Sequence, residues 1–228
     1  MPSQPKVGAV IVAAGSGERM GRLDKVSALL GGKPILAWVA STFHNSSLVN
    51  QIVIVLSKAN LERGKRLVKE NGWSKVSDIC PGGRRRQDSV AAGLDRLQVC
   101  QWVVIHDGTR PFVTEDLIKR GLEAAEETGA AAAAVPVTDT IKIAGDDMFV
   151  RETPARKHLW AVQTPQVFRY DIITSAHRQI EAEVTDDASL VEQLGYRVKL
   201  YMGAYDNIKI TTPGDLALAE VLLKKHGK

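Results

Sequence analysis

Short apolar runs rich in valine and isoleucine recur at 7–13, 51–56, 102–105, 131–137 and 198–202. Between them lie stretches whose apolar residues return every three or four positions, at 34–44, 61–70, 87–97, 115–127, 171–181 and 213–223. The first pattern predicts strands and the second predicts helices. Their alternation predicts an α/β fold, a mostly parallel sheet with helices on both faces, whose ligand site lies at the carboxyl ends of the strands. The last helix carries its own start signal: Thr212 to cap it, Pro213 for the first helical position and Asp215 in the first turn.

Residues 138–168 break the alternation. "TDTIKIA" and "VRETP" flank a "GDD" turn and read as a β-hairpin arm hung on the sheet. A hairpin that long cannot bury both faces alone, so a second copy of the chain is expected to cover it, the alternative being a flexible hairpin. No linker or internal repeat divides the 228 residues, which read as one domain, 1–228, with 138–168 as its arm.

Apolar residues make up 44% of the chain and charged residues 25%, which excludes disordered, fibrous and membrane classes. The apolar stretch 7–14 is too short to span a bilayer and runs into a charged loop rather than a cleavage site, so no membrane association or export is expected. Cys80 and Cys100 have neither the spacing nor the histidine neighbours of a zinc site, and a reducing cytoplasm fits them. The net charge is +4, but the cations are scattered and aromatics are 5% of the chain. A small phosphorylated ligand therefore explains the charge better than nucleic acid does.

Candidate chemistry gathers in three loops. The first run ends in Ala13-Ala14-Gly15-Ser16-Gly17, followed by Arg19 and Lys25. This is neither a Walker loop nor a Rossmann fingerprint. Its small residues let backbone amides approach an anion while the two cations neutralise phosphate oxygens; the alternative is a tight turn with two solvated cations. Gly82 and Gly83 open a helix over 84–97, with Arg84, Arg85 and Arg86 in a first turn where the macrodipole disfavours positive charge. Something negative, for which a triphosphate is a candidate, should offset them, unless the side chains swing into water. By helical spacing Ser89 shares the side of Arg85 and Arg86 and is placed to hydrogen-bond a base or sugar.

The third loop follows "VVIHD". Asp107 stands at a strand's carboxyl end and suits magnesium, which takes one or two carboxylates plus substrate phosphates. His106 reads as a packed residue, and Arg110 as a phosphate ligand or a partner of Asp107. Further on, Asp206 is a candidate second metal carboxylate and Lys209 a candidate phosphate clamp, against turn capping and a surface cation.

Taken in order, A-A-G-S-G-E-R-M, D-K-V, G-G-R-R-R-Q-D-S-V-A-A-G-L, H-D-G-T-R-P-F, P-V-T-D-T-I-K, Q-T-P-Q-V-F, T-D-D-A-S-L-V-E and D-N-I-K-I-T-T-P-G-D-L resemble the 2-C-methyl-D-erythritol 4-phosphate cytidylyltransferases from about Val7 to Leu222. The resemblance implies a Rossmann-like nucleotidyltransferase fold and a homodimer joined by the arm. It also implies a magnesium-dependent reaction of CTP with the polyol phosphate, giving 4-diphosphocytidyl-2-C-methyl-D-erythritol and pyrophosphate for non-mevalonate isoprenoid synthesis. By that matching Arg19 and Lys25 stabilise the transition state, Asp107 binds the metal, and Arg156 and Lys209 position the polyol phosphate. Thr140 touches the same substrate, and as it and Arg156 lie in the arm they would serve the neighbour's site. The loop 13–17, Gly83 and Ser89 would hold the cytidine.

The chain departs from the family pattern at Asp24-Lys25-Val26, at Gly108 and Thr109 in place of two alanines, and at Arg84 in place of an acidic residue. The alternatives are a ribitol-5-phosphate cytidylyltransferase, sharing the CTP half, and a non-catalytic nucleotide- or RNA-binding module.

Overall fold

The computed structural model describes residues 6–15, 28–98, 100–225 and 227. The strands are β1 (Val7–Ala13), β2 (Leu29–Leu30), β3 (Lys33–Pro34), β4 (Gln51–Leu56), β5 (Val76–Pro81), β6 (Trp102–Asp107), β7 (Ala130–Pro136), β8 (Ile143–Ala144), β9 (Val150–Glu152), β10 (Trp160–Arg169) and β11 (Lys199–Met202). The helices are α1 (Ile35–Asn45), α2 (Leu61–Asn71), α3 (Arg86–Leu94), α4 (Glu115–Ala125), α5 (Tyr170–Gln179), α6 (Asp187–Gln193) and α7 (Pro213–Lys225). Seven strands form one sheet in the order β11-β7-β10-β6-β1-β4-β5. β10 runs antiparallel to β6 and β7, and the other pairs are parallel.

Alternating side chains send each strand's residues to opposite faces. On β1, Ala9 and Ile11 join Leu36, Val39 and Phe43 of α1 and Leu117 and Ile118 of α4. Val10 points the other way, to Val90 and Leu94 of α3, Ile172 and Ile173 of α5, and Leu190 and Val191 of α6. Helices thus cover both faces, as the alternation predicts. α7 begins as its sequence predicts: Thr212 Oγ1 accepts from the Asp215 N–H (3.2 Å), and the Asp215 carboxylate accepts from the N–H of Thr211 and Thr212 (both 2.8 Å). No helix among the described residues is long and apolar enough to cross a membrane.

The structure revises the arm and the second glycine loop. β8 and β9 pair as the hairpin, but Trp160–Arg169 is β10, a sheet strand with Gln163–Phe168 buried, so the arm ends near residue 159. A run with two glutamines and a proline reads poorly as a strand. It is accommodated because the ladder with β7 shifts register between Val162 and Gln166, where Pro165 sits, and because both glutamine side chains are hydrogen-bonded. The helix expected over 84–97 begins at Arg86, and protein carboxylates meet both Arg85 and Arg86. Asp88 accepts from the Arg85 N–H (3.0 Å) and pairs with its guanidinium (2.7 Å), while Arg86 reaches Asp187 (2.6 Å).

Register decides where the site lies. Parallel pairing sets Ala13 level with Leu56, Leu56 level with Pro81, and Val12 level with Asp107. The loops after β1, β5 and β6 therefore leave the sheet along one edge, the carboxyl end where a ligand is expected.

Candidate active site

At that edge the first two loops meet with no room to spare. A Cβ on Gly82 would lie 2.3 Å from the Ala14 Cβ and 2.6 Å from Ser89 Oγ, and one on Gly108 would lie 2.7 Å from the Ala13 Cβ. In this structure the backbone at Gly108 therefore lies directly against the end of β1. Ser89 is buried, and its hydroxyl accepts from the Gly83 N–H (3.2 Å) and donates to the Arg85 carbonyl (3.1 Å). In this geometry it shapes the glycine turn. Ala13, Ala14, Gly15, Gly82, Gly83 and Ser89 share this region, whereas Ser16, Gly17, Arg19 and Lys25 lie outside the described residues.

Asp107 ends β6 with its side chain 8% exposed, and three cations reach it from three segments. Lys209 Nζ lies 2.9 Å and Arg110 Nε 3.3 Å from Oδ2, and Arg86 Nε lies 3.4 Å from Oδ1. Burial alone would push this carboxyl up, but Lys209, Arg86 and Arg110 together hold it well below the usual carboxylate range. Arg86 is itself largely buried, and Asp187 and Asp107 outweigh that burial to keep it charged. Of the two readings of Arg110, the structure displays the pairing with Asp107; its Nη1 also donates to the Asn207 carbonyl (2.8 Å).

A neutral network beneath fixes the turn. The Asp107 N–H donates to Thr164 Oγ1, whose own proton is then free to point at His106 Nδ1 (both 3.0 Å). That leaves the imidazole proton on Nε2, to donate to the Arg110 carbonyl (3.2 Å). Burial pushes His106 down to about 4, which keeps it neutral, so it is the packed residue that the sequence suggests. Asn207 is fully buried; its amide donates to Gln163 Oε1 (3.3 Å) and the Thr164 carbonyl (2.8 Å), tying the segment that carries Lys209 to β10. A cavity of about 410 Å³ opens above, lined by Arg86, Asp107, Arg110, Thr164, Ser189 and Lys209 among others.

Other candidates lie apart. Asp206 lines a separate groove with Tyr205, Ile208, Leu218 and Leu222, not the cavity over Asp107. Thr140 and Arg156 are exposed in the arm, where Arg156 Nη1 donates to the Thr138 carbonyl (2.7 Å), and neither lines that cavity. No three His, Cys, Asp or Glu side chains gather as a metal site among the described residues. Asp107 alone fits an ion that draws most of its ligands from phosphates and water, as magnesium does. Sequence reasoning missed Thr164, Asn207 and Asp187 as functional residues, although all three stand in the quoted motifs.

An ionised carboxylate among cations, beside tight small-residue loops at the strand ends of a mostly parallel sheet, marks an α/β protein built to handle phosphate groups. The model of the family described as 2-C-methyl-D-erythritol 4-phosphate cytidylyltransferase matches residues 7–225. A relative of that name from Dehalococcoides mccartyi is 54% identical over 220 residues, 96% of this chain and 97% of its own, and one from Alkaliphilus oremlandii is 46% identical over 230 residues, 98% of each. The crystal structure of 4-diphosphocytidyl-2C-methyl-D-erythritol synthase from Anaerococcus prevotii superposes with a TM-score of 0.85 at 32% identity over 96% of both chains. That of the cytidylyltransferase from Thermus thermophilus gives 0.78 at 33% identity over 96% of this chain and 99% of its own. The chain belongs to the 2-C-methyl-D-erythritol 4-phosphate cytidylyltransferase family.

Two expected outcomes follow from the network under Asp107. Thr164→Val keeps the shape but strands the Asp107 N–H and His106 Nδ1, so unfolding in urea should show a loss of about 1–3 kcal/mol; unchanged stability contradicts the network. For His106, folding lowers the value from 6.5 to about 4. The unfolded chain therefore binds a proton that the folded chain refuses. The group's contribution is full above pH 6.5 and declines as the pH falls, by about 3 kcal/mol at pH 4. Nitrogen-15 spectra at pH 5.5 should show a neutral ring protonated on Nε2, and an imidazolium pattern there contradicts the assignment.

Proposed function

We propose that this chain transfers the cytidylyl group of CTP to 2-C-methyl-D-erythritol 4-phosphate, releasing pyrophosphate. The observation that carries the reading is the convergence of Arg86, Arg110 and Lys209 on Asp107 at the strand ends, in a chain matched by the family over residues 7–225. Two anions must meet for this reaction. An oxygen of the polyol phosphate bonds to the α-phosphorus of CTP, the bond from that phosphorus to the β-phosphate oxygen breaks, and the electron pair leaves with pyrophosphate. The attacking phosphate is already ionised near neutral pH, so positioning and charge neutralisation suffice without a general base or covalent nucleophile.

Lys209, the most exposed of the three cations, is the one best able to turn from Asp107 to an incoming phosphate. Arg110, anchored by the Asn207 carbonyl, holds its place beside the carboxylate. Arg19 and Lys25 complete the reading as the cations that neutralise the α-phosphate and the departing pyrophosphate, with the backbone around 13–17, 82 and 83 holding the nucleotide. Magnesium held by Asp107, when bound, supplies further charge neutralisation to the triphosphate. Asp206, in its separate groove, is not needed for that ion.

The arm supports a homodimer. Met148, Phe149, Val150 and Ile143 are 83%, 71%, 56% and 48% exposed, an apolar surface that a single chain leaves in water. Covering it with a second copy would bring Thr140 and Arg156 to the neighbour's site. A cytoplasmic location fits the two free cysteines and the small soluble substrates.

The reading is tested by incubating the protein with CTP, magnesium and each polyol phosphate and measuring pyrophosphate. Release with methylerythritol phosphate and not ribitol phosphate is the expected result; release with neither, together with salt-sensitive RNA retention, overturns it. Lys25→Ala should lower turnover on the order of 10²–10³ if the lysine acts as a preorganised oxyanion donor, and near-normal turnover removes it from the mechanism. Dimers that combine an Arg156→Ala subunit with an Arg19→Ala subunit should regain part of the activity, and no recovery contradicts shared sites.

A further inference from the structure

On the side of Arg86 away from Asp107 lies a chain of buried groups that the reaction does not use directly and that the motifs do not wholly contain. Arg86 Nη1 donates to Asp187 Oδ2 at 2.6 Å while its Nε faces Asp107 Oδ1 at 3.4 Å, so one guanidinium is shared by two carboxylates. Asp187, the first residue of α6, is 1% exposed. Its other oxygen, Oδ1, faces Nε2 of His177 on α5 at 3.3 Å. The His177 side chain is 4% exposed, and "SAHRQ", where it stands, belongs to none of the quoted motifs.

The polar accounting around this pair is incomplete. Asp187 Oδ1 and both ring nitrogens of His177 are buried and make no aligned hydrogen bond among the described residues. Buried polar atoms almost always find a partner, and leaving one without costs more than a typical bond gains. Nε2 and Oδ1 stand within bonding distance of each other, and a small turn of the ring aligns an Nε2–H with the carboxylate.

We propose that His177 is a positioning residue of the reaction centre, whose ring N–H occupies one oxygen of Asp187 so that Arg86 bridges Asp187 and Asp107 instead of closing on Asp187 alone. The alternative arrangement is the natural one for these groups. Arginine and a carboxylate prefer two parallel hydrogen bonds, and a free Oδ1 offers Arg86 the second. With Oδ1 taken, the guanidinium holds Oδ2 through Nη1 and keeps Nε turned to Asp107. His177 thus acts through two other residues on the carboxylate whose surroundings the transfer depends on. The inference rests on the cytidylyl-transfer reading for its kinetic consequence and on the contacts alone for its structural one.

The test uses the whole protein. His177→Phe fills the ring's volume without an N–H, and His177→Gln places an amide N–H close to where Nε2 stands. Turnover in the pyrophosphate assay should fall on the order of tenfold in the Phe variant, the usual scale for losing a group that orients a site residue, with KM for CTP little changed. It should return most of the way in the Gln variant. The Arg86 Nε–H resonance, identified by its loss in Arg86→Lys, should shift in His177→Phe and move back in His177→Gln. This signal is read without substrate, so it decides the proposal even for a protein that released no pyrophosphate. A Phe variant that loses thermal stability but keeps wild-type turnover and an unshifted Arg86 signal overturns it. So does an equal turnover loss in both variants with the Arg86 signal unmoved.

Discussion

The structure depends on one constraint: a carboxylate almost removed from water must be neutralised where it stands. Asp107 has its side chain 8% exposed at the end of a strand whose six residues are all buried. An unpaired charge there would cost several kcal/mol, and the usual outcome of such a cost is a neutral acid. Lys209, Arg110 and Arg86 prevent it, and the same cations leave the cavity above attractive to phosphates. Stabilising the fold and preparing the site are here the same interaction.

Delivering three cations to one point is a topological task. α3 supplies Arg86, the turn after β6 supplies Arg110, and the segment after β11 supplies Lys209. β10 joins these parts. Being antiparallel to both neighbours, it inserts Gln163, Thr164 and Gln166 beneath the site. From there Thr164 fixes the Asp107 backbone, Gln163 and Asn207 fasten the Lys209 segment, and Gln166 pins the start of α6 through Asp186 and the Ala188 N–H. Polar side chains inside a sheet are costly unless satisfied, and most of these are. Their role is to set geometry where an apolar strand would only fill space.

Much of this was legible in the sequence. The strand and helix alternation, the strand that ends in Asp107 and the start of α7 are local patterns, and local patterns survive in one dimension. Asp107 stood out because a carboxylate at a strand's carboxyl end has few structural reasons to be there. Arg86 stood out only as one of three arginines in want of an anion; its partner was hidden, since Asp187 is 101 positions away and no spacing rule links them. The buried run of β10 was hidden by its composition: "QTPQVF" looks polar and proline-broken, and only the register shift and the hydrogen bonds to both glutamines make it a strand. Asp206 is three residues from Lys209, yet the chain turns it to another groove. Proximity in sequence says little about facing direction in a loop. The glycine turn was half legible, because the small residues announced close packing while Ser89 spends its hydroxyl on the turn itself.

The central claim is that the Asp107 carboxylate stays ionised through its cations. It is read most directly by following its Cγ resonance through an acid titration of carbon-13-labelled protein. A folded value held below the unfolded 3.8 means stabilisation that is present above that pH and is lost only as the pH falls to the folded value. The resonance should therefore remain at the ionised position for as long as the protein stays folded, through the range, about pH 3.9, in which an unperturbed aspartate titrates. Protonation of Asp107 in that ordinary range, with the fold intact, would contradict the account.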